Sequence, residues 1–240
     1  EHCAFEAMPL PSMVILPLSQ HLGKQAKPLV DKRATVARGQ VIAEADGFIS
    51  APVHASITGT VKSIGRENNS NGYMKEAMVI IPAKPKEGEE LPVDQAMPSL
   101  DPATVSVEDI RARVKDAGIV GQGGAAFPTF VKLSPPEGMT LEAVIINGCE
   151  CEPYLTRDDR FMLERPDAVV SGLSLIMRAL GVTRGVIGIE NNKPGAIASM
   201  QQAVAGHSGI EICALQTKYP QGAEKMLIKA VNGREVPPGK

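Results

Sequence analysis

Polar side chains that could bind a ligand are concentrated where a predicted strand ends. The apolar run 143–146 stops at Asn147, and Glu150 and Glu152 follow in the sequence Asn-Gly-Cys-Glu-Cys-Glu. In an open α/β sheet, ligands bind beyond the carboxyl ends of the strands, so these carboxylates stand where a site is expected. In extended backbone, residues two apart share a face, so we expect both glutamates on one face and both thiols on the other. The alternative is an exposed acidic turn.

A glycine-rich loop is the second stretch whose residues could do chemistry. Gly121, Gly123 and Gly124 occupy three of four consecutive positions, and Lys132 follows them. Glycines let backbone N–H groups converge on one point and let a phosphate approach closely, while a lysine supplies compensating charge. Because this loop follows a predicted helix rather than a strand, it is neither the dinucleotide-binding fingerprint nor a Walker loop. A flexible connector is the alternative.

The third stretch joins the last predicted strand to the last predicted helix. Tyr219, Gly222 and Glu224 lie at the amino end of that helix. Free N–H groups and the positive pole of a helix favour an anion there. Plain helix capping by Glu224 explains this residue as well as a ligand role does.

The composition argues against several other functions. Lys and Arg number 25 against 27 for Asp and Glu without forming a dense basic block, so we expect no nucleic-acid partner. No apolar segment approaches the roughly 20 residues that span a bilayer, and the amino end lacks the pattern of a secretory signal, so the chain reads as soluble. The four cysteines resemble neither a disulfide framework nor an iron–sulfur pattern, which indicates a reducing compartment and no metal site.

The element pattern changes near residue 100. Residues 1–100 carry short apolar runs between Gly and Pro, which predicts an all-β module followed by an exposed connector. In residues 101–240, predicted strands alternate with predicted helices, which predicts a mainly parallel sheet in an α/β domain of nucleotide-binding architecture. The predicted helices are 107–117, 166–180, 194–205 and 222–231, and the predicted strands are 143–146, 185–189 and 210–215. In the second helix, Val169, Leu173, Ile176 and Leu180 predict one buried stripe.

One segment of the first module resembles a known fold. Gly39-Gln40, a hairpin around Asp46-Gly47, Ala51-Pro52 and Gly59-Thr60-Val61 are similar to the barrel-sandwich hybrid fold of biotinyl and lipoyl carrier domains. Those carriers present a lysine at a hairpin tip, but no lysine lies between Gly39 and Val61. We therefore interpret the module as a scaffold without a swinging arm, with an unrelated small β module as the alternative.

Taken together, the motifs resemble one family over nearly the whole chain. Gly-Gln-Gly-Gly-Ala-Ala-Phe-Pro-Thr, Asn-Gly-Cys-Glu-Cys-Glu-Pro-Tyr with Asp-Asp-Arg-Phe-Met behind it, and Tyr-x-x-Gly-x-Glu resemble the C subunit of the Rnf electron-transport complex. The opening Gln-His-Leu-Gly and the barrel-sandwich module also resemble the Rnf C subunits. The α/β half is more distantly similar to the FMN- and NADH-binding subunit of respiratory complex I, from whose pattern it departs at Gln122, Cys149 and Ala223.

The resemblance implies an FMN beside an NADH site. Gly121, Gly123 and Gly124 would line nucleotide phosphates, with Lys132 adding charge and Phe127 against a ring. Asn147 would face the flavin, and Glu150 and Glu152 would hold ribose hydroxyls and the nicotinamide carboxamide. Tyr219, Gly222 and Glu224 would form the opposite wall. Hydride transfer to a flavin needs no protein acid or base, so no catalytic side chain is expected.

The resemblance also implies a setting in the cell. Its members work at the cytoplasmic face of the bacterial inner membrane, as peripheral subunits attached through partner subunits, and exchange electrons between NADH and ferredoxin. They continue into a segment with two 4Fe-4S clusters, and no Cys-x-x-Cys run occurs before Lys240, so we expect a fragment without that onward path. The alternative is a non-catalytic module that binds a nucleotide and docks a partner.

Overall fold

The computed structural model describes residues 3–68, 72–84, 90–122 and 125–238. They form two compact units. The barrel unit is Met8–Pro135, and the sheet unit is Pro136–Lys240 with Glu1–Ala7. The boundary that we predict between residues 100 and 101 therefore differs from this division, for reasons that lie in the packing of residues 101–135.

The first part of the barrel unit is all-β, as predicted. Its strands are β1 (Val14–Pro17), β2 (Lys27–Pro28), β3 (Thr35–Val36), β4 (Val41–Glu44), β5 (Val53–His54), β6 (Gly59–Asn68) and β7 (Met74–Pro82). They form an antiparallel sheet in the order β1-β7-β6-β3 and a second antiparallel sheet in the order β2-β4-β5. Both sheets contribute to one core, which includes Leu18, Ile42, Val61, Met78 and Ile80. The predicted hairpin is confirmed as the connection between β4 and β5.

Two helices complete the barrel unit, and their packing moves its boundary beyond residue 100. Helix α1 (Val107–Asp116) begins where the Ser106 hydroxyl accepts the Asp109 N–H, and α2 is the single turn Thr129–Lys132. Gly118, with φ +65°, lies so close to the barrel that a Cβ there would be 2.5 Å from the Pro52 carbonyl oxygen. The ring of Phe130 packs edge-on against Phe48 of the hairpin, with 6.3 Å between centroids.

The sheet unit confirms the predicted parallel sheet. Its elements are β8 (Val144–Gly148), α3 (Arg157–Glu164), α4 (Pro166–Leu180), β9 (Gly185–Glu190), α5 (Pro194–Ala203), β10 (Ile210–Leu215) and α6 (Glu224–Asn232). The three strands are parallel in the order β10-β9-β8. Met162, Leu173 and Met200 of α3, α4 and α5 pack with Ile187 and Ile189 of the central strand.

Helix α6 covers a different part of the sheet. Its Leu227 packs with Leu215 and Cys149 rather than with the cluster under α4. Because side chains alternate between the faces of a strand, the two clusters place helices on both faces of the sheet. The helices pack on the faces of the sheet, so the carboxyl ends of the three strands are where a ligand-binding site is expected.

Helix α4 shows where periodicity is informative and where it is not. Its predicted bounds are confirmed, with Gly181 at φ +66° as the stop. The predicted buried stripe is only partly right. Leu173 is buried as predicted, but the other most buried positions include Val170 and Met177. Val169, Ile176 and Leu180 are only half-buried. The helix contacts α3 and α5 as well as the sheet, so its apolar surface is wider than one stripe.

Two glycines in the turn before β10 provide a matched stability test. Gly206 and Gly209 have φ of +93° and +82°, but a Cβ would meet the Thr183 carbonyl oxygen at 2.2 Å only at Gly209, while Gly206 faces open space. We predict that Gly206→Ala lowers the free energy of unfolding by about 1–2 kcal/mol through backbone strain. Gly209→Ala should cost about 1–3 kcal/mol more because of the clash. Denaturant unfolding followed by circular dichroism measures both, and equal losses would contradict this packing.

Candidate functional site

A cleft of about 230 Å³ opens at the carboxyl ends of the parallel strands in the sheet unit. Residues 150–155, which follow β8, line one part of it, and residues 217–219, which follow β10, line another. Glu190, Asn192 and Lys193, at the end of β9 and just beyond it, complete the lining. The position agrees with the expectation that strand ends of an α/β sheet carry the site.

The backbone turns sharply where we predict extended structure. Strand β8 ends at Gly148, and the Cys151 N–H donates to the Cys149 carbonyl oxygen at 2.9 Å. As a result, Glu150 is only 7% exposed, while Glu152 is exposed to solvent. The expectation that both carboxylates share one face is therefore wrong, because it assumed that the strand continues beyond Gly148.

Glu150 stabilises the start of helix α3. Its two carboxylate oxygens accept the Asp158 N–H at 2.9 Å and the Asp159 N–H at 3.3 Å. The first N–H groups of a helix have no partner within the helix, and Thr156 at the N-cap position makes no side-chain capping bond. Glu150 supplies the missing acceptors from eight residues upstream, so its carboxylate is already engaged within the protein.

Asn147 and Gly222 join the second and third predicted stretches. The Asn147 side-chain amide donates to the Gly222 carbonyl oxygen at 2.7 Å, and its oxygen accepts the Cys149 N–H at 3.1 Å. The Gly222 N–H donates in turn to the Cys151 sulfur at 3.3 Å. A Cβ on Gly222 would lie 2.5 Å from the Cys149 carbonyl oxygen, so this approach requires glycine. The strand-end stretch and the helix-start stretch meet, as predicted.

The cysteines in this region differ in environment. Cys149 is buried, and burial, followed by the nearby Glu190 carboxylate, raises its pKa to about 12. Burial also raises the pKa of the half-buried Cys213. Cys151 is half-buried and lines the cleft.

Glu190 is a site residue that our sequence analysis missed. This carboxylate is 1% exposed at the end of the central strand, and it accepts the Lys218 N–H at 3.0 Å. Asn191 performs a similar role beside it, since its side-chain oxygen accepts both the N–H and the hydroxyl of Thr217. The sequence does contain a signal for this residue. Glu-Asn-Asn directly follows the predicted strand 185–189, just as Asn147 directly follows the predicted strand 143–146.

Aromatic side chains are exposed at the cleft. Tyr219 is 74% exposed and precedes a cis peptide bond to Pro220. Tyr154 is fully exposed and has φ +67°, a conformation that is uncommon for a residue other than glycine. Glu224 is exposed at the first position of α6, two residues later than the predicted start of that helix.

The glycine-rich loop belongs to the barrel unit. Its ends are closed by a bridge between Val120 and Pro128 and by a hydrogen bond from the Gly121 N–H to the Phe127 carbonyl oxygen. A Cβ on Gly121 would lie 3.6 Å from the Lys132 ammonium nitrogen, so the predicted cation does lie over this loop. Phe127 is half-buried, and Gly123 and Gly124 lie outside the described residues. The predicted meeting of this loop with the other two stretches stays a prediction.

Two features are missing from the described residues. Within the described ranges, no group of three or more His, Cys, Asp or Glu side chains is arranged to hold a metal ion. In the same ranges, no helix combines the length and the apolar character needed to cross a bilayer.

Comparison with known families identifies the domains. Residues 114–240 match the Nuo51 FMN-binding domain, and residues 1–85 match the RnfC barrel sandwich hybrid domain. The first match covers more than half of the 240 residues, so the chain belongs to the Nuo51 FMN-binding family. The predicted barrel-sandwich module and the predicted relationship to the Rnf C subunits are both confirmed.

Curated relatives match this chain over nearly all of its length. The chain is 44% identical over 234 residues to the C subunit of the proton-translocating ferredoxin:NAD(+) oxidoreductase complex of Clostridium ljungdahlii, covering 98% of this chain and 50% of that protein. For the C subunit of the Na(+)-translocating complex of Acetobacterium woodii, the identity is 43% over 233 residues, covering 95% and 51%. The chain thus spans about half the length of these relatives.

One solved structure shows a weaker likeness. An NAD+-reducing [NiFe]-hydrogenase in the air-oxidized state is 26% identical, covers 54% of this chain and 24% of its own, and gives a TM-score of 0.48.

The two glutamates at the strand end should differ in their effect on stability. We predict that Glu150→Ala lowers the free energy of unfolding by about 1–2 kcal/mol, because it removes the acceptors at the start of α3. Glu152→Ala, at an exposed position, should change it by less than about 0.5 kcal/mol. Denaturant unfolding of both variants tests the assignment, and a neutral Glu150→Ala would show that the cap contributes nothing.

The thiols should react in a defined order. A thiolate is the reactive form, and with a pKa of about 12 only roughly one Cys149 side chain in ten thousand is ionised at pH 8. We predict that iodoacetamide at pH 8 modifies the exposed Cys3 first and Cys149 last, as followed by peptide mass spectrometry. In guanidinium chloride the difference should disappear. Early modification of Cys149 in the native protein would contradict its burial.

Proposed function

We propose that this chain is the nucleotide-binding part of a C subunit that takes electrons from NADH, with FMN as the acceptor. The observation that carries the proposal is the junction of Asn147, Cys151 and Gly222 beside the cleft, in a chain that belongs to an FMN-binding family. The named relatives are subunits of ferredoxin:NAD(+) oxidoreductase complexes, which supports NADH as the second nucleotide.

The cleft fits part of a nucleotide by size and chemistry. Its volume of about 230 Å³ is below the roughly 300–1,000 Å³ typical of whole-ligand pockets, so the sheet unit would enclose one portion of a nucleotide. Exposed Tyr154 and Tyr219 offer ring faces, Glu152 offers acceptors for hydroxyl or amide groups, and Lys193 and Lys218 offer cations. This donor set suits a sugar and a ring next to a phosphate.

The residues of the chain would act by binding and orienting. Bound FMN supplies an acceptor for the hydride of NADH, so the protein needs no acid or base for that transfer. Glu152 would hold ribose hydroxyls or the nicotinamide carboxamide, whereas Glu150 would act through α3, since both its oxygens accept backbone N–H groups. Gly121, Gly123, Gly124 and Lys132 would hold phosphates, with Phe127 against a ring. The remaining predicted contacts, Asn147, Tyr219, Gly222 and Glu224, would line the flavin and nicotinamide side.

The relatives suggest the larger setting. We propose that the chain works in an ion-translocating complex at the cytoplasmic face of the membrane, with ferredoxin as the indirect partner. Membrane attachment would come from other subunits, and the 4Fe-4S path from a segment beyond these 240 residues. An α/β domain of Rossmann type would be the nucleotide-binding core.

Flavin fluorescence tests the proposal directly. Addition of the chain to FMN should quench the fluorescence, and NADH should then bleach the flavin absorbance at roughly 450 nm. Quenching without bleaching would instead support a non-catalytic binding module. No quenching by protein that is folded by circular dichroism would contradict the flavin proposal.

Glu152 provides a sharper test with a matched control. We predict that Glu152→Ala weakens NADH binding by roughly 10- to 100-fold through loss of charge-assisted hydrogen bonds, and weakens FMN binding much less. Glu137→Ala changes an exposed glutamate outside the cleft and should alter neither affinity. Titration of both nucleotides by calorimetry measures the effects. An equal loss of affinity for NADH and FMN would contradict the assignment of Glu152 to the NADH site.

A further inference from the structure

A buried histidine connects the barrel to the glycine-rich loop within the barrel unit. His21 is only 8% exposed and lies in the segment between β1 and β2. Its imidazole contacts the end of the β4–β5 connection on one side, while its neighbour Leu22 contacts the glycine-rich loop on the other. A surface or packing role is the default expectation for such a histidine, but these contacts are more specific.

Three hydrogen bonds run in series from the barrel to the loop. The Ala51 N–H donates to His21 Nε2 at 3.2 Å. His21 Nδ1 lies 3.2 Å from the Leu22 carbonyl oxygen, and the Leu22 N–H donates to the Ala126 carbonyl oxygen at 3.0 Å. Ala126 is in the loop itself and has φ +50°, a conformation that must be held in place.

The partners determine which ring nitrogen of His21 carries the proton. Nε2 faces an N–H donor, so it must be the acceptor, and Nδ1 faces a carbonyl oxygen, so it must carry the hydrogen. A neutral imidazole in this tautomer satisfies both partners at once. No other ordinary side chain places a donor and an acceptor at these two positions on one rigid ring.

Other contacts attach the chain on either side of the loop to the barrel. Gly118 packs against the Pro52 carbonyl on the amino-terminal side, where a Cβ would be 2.5 Å away. On the carboxyl-terminal side, Phe130 packs against Phe48, and its ring centroid lies 5.5 Å from the Lys115 ammonium group. The bond from Leu22 reaches Ala126, which lies between Gly118 and Phe130, so the His21 chain acts on the loop itself.

We propose that His21 is a positioning residue for the phosphate-binding loop, and that the barrel module presents this loop in place of a carrier lysine. The proposal rests on the proposed function, since it takes the loop as the phosphate site. His21 would act through Leu22 and Ala126. Its role is to hold Ala126 at its φ of +50° before the ligand arrives, which reduces the ordering cost of binding.

Amide hydrogen exchange tests the positioning without any ligand. Exchange at Leu22, Gly121 and Thr129, followed by NMR, should be at least tenfold faster in His21→Ala than in the unchanged protein, while amides of β6 and β7 keep their rates. Ile42→Val removes a methyl group from the barrel core and serves as the control for general destabilisation. Unchanged exchange at the three loop-associated amides in His21→Ala, or an equal increase in Ile42→Val, would overturn the proposal.

Conservative variants keep the test informative if His21→Ala does not fold. The oxygen of His21→Gln can reach the position of Nε2 and accept from Ala51, and the amide of His21→Asn can reach the position of Nδ1 and donate to Leu22. Each should restore part of the protection that alanine loses. If both variants leave the loop as exposed to exchange as alanine does while remaining folded, the hydrogen-bond chain is not what holds the loop.

Nucleotide binding separates this proposal from the proposed function. We expect the Kd for NADH to rise about tenfold in His21→Ala and less than twofold in Ile42→Val. If the unchanged protein fails to bind NADH, the proposed function fails, and the exchange experiment alone still decides whether His21 positions the loop. If NADH binds and its Kd is equal in His21→Ala and the unchanged protein, the loop does not depend on His21 for binding.

Discussion

Backbone groups of the loops and helix starts that follow the parallel strands need hydrogen-bond partners, and nearby side chains supply them. Glu150 accepts the first N–H groups of α3, and Glu190 accepts the N–H of Lys218. Asn147 binds a carbonyl of the turn before α6. A buried polar group without a partner costs free energy comparable to a lost hydrogen bond, so these side chains fix the walls of the cleft. Under our proposal, the side chains that remain exposed would bind the ligand.

This division assigns different tasks to residues of the same type. Buried Glu150 and Glu190 shape the cleft, whereas exposed Glu152 is available to a ligand. The glutamates of the cleft suit the hydroxyls of a sugar or an amide, and Lys193 and Lys218 offer cations beside them. Under our proposal, the glycine-rich loop in the barrel unit, where Lys132 lies over Gly121, would hold the phosphates. The barrel would then have a structural role in binding, although it lacks the carrier lysine.

Sequence patterns predicted the elements that obey local rules. Helix α4 runs from a proline at its first position to a left-handed glycine, and both signals are local, so its bounds were correct. Helix α3 was not predicted, because it begins with Arg-Asp-Asp-Arg and its amino end is satisfied by Glu150 from outside the helix. The burial of Glu150 depends on that same contact across the turn. Neither feature follows from periodicity, since both depend on tertiary structure.

The division into compact units differs from our predicted boundary for a related reason. Residues 101–135 carry a helical pattern and were grouped with the α/β half, but Gly118 and Phe130 pack on the barrel hairpin. The central claim, that the strand ends of the sheet unit form the nucleotide site, is tested most directly by NMR. Titration of the isotope-labelled chain with NADH should shift the backbone amides of residues 150–155, 190–193 and 217–222. Shifts confined to other parts of the chain, with these amides unchanged at saturation, would contradict the account.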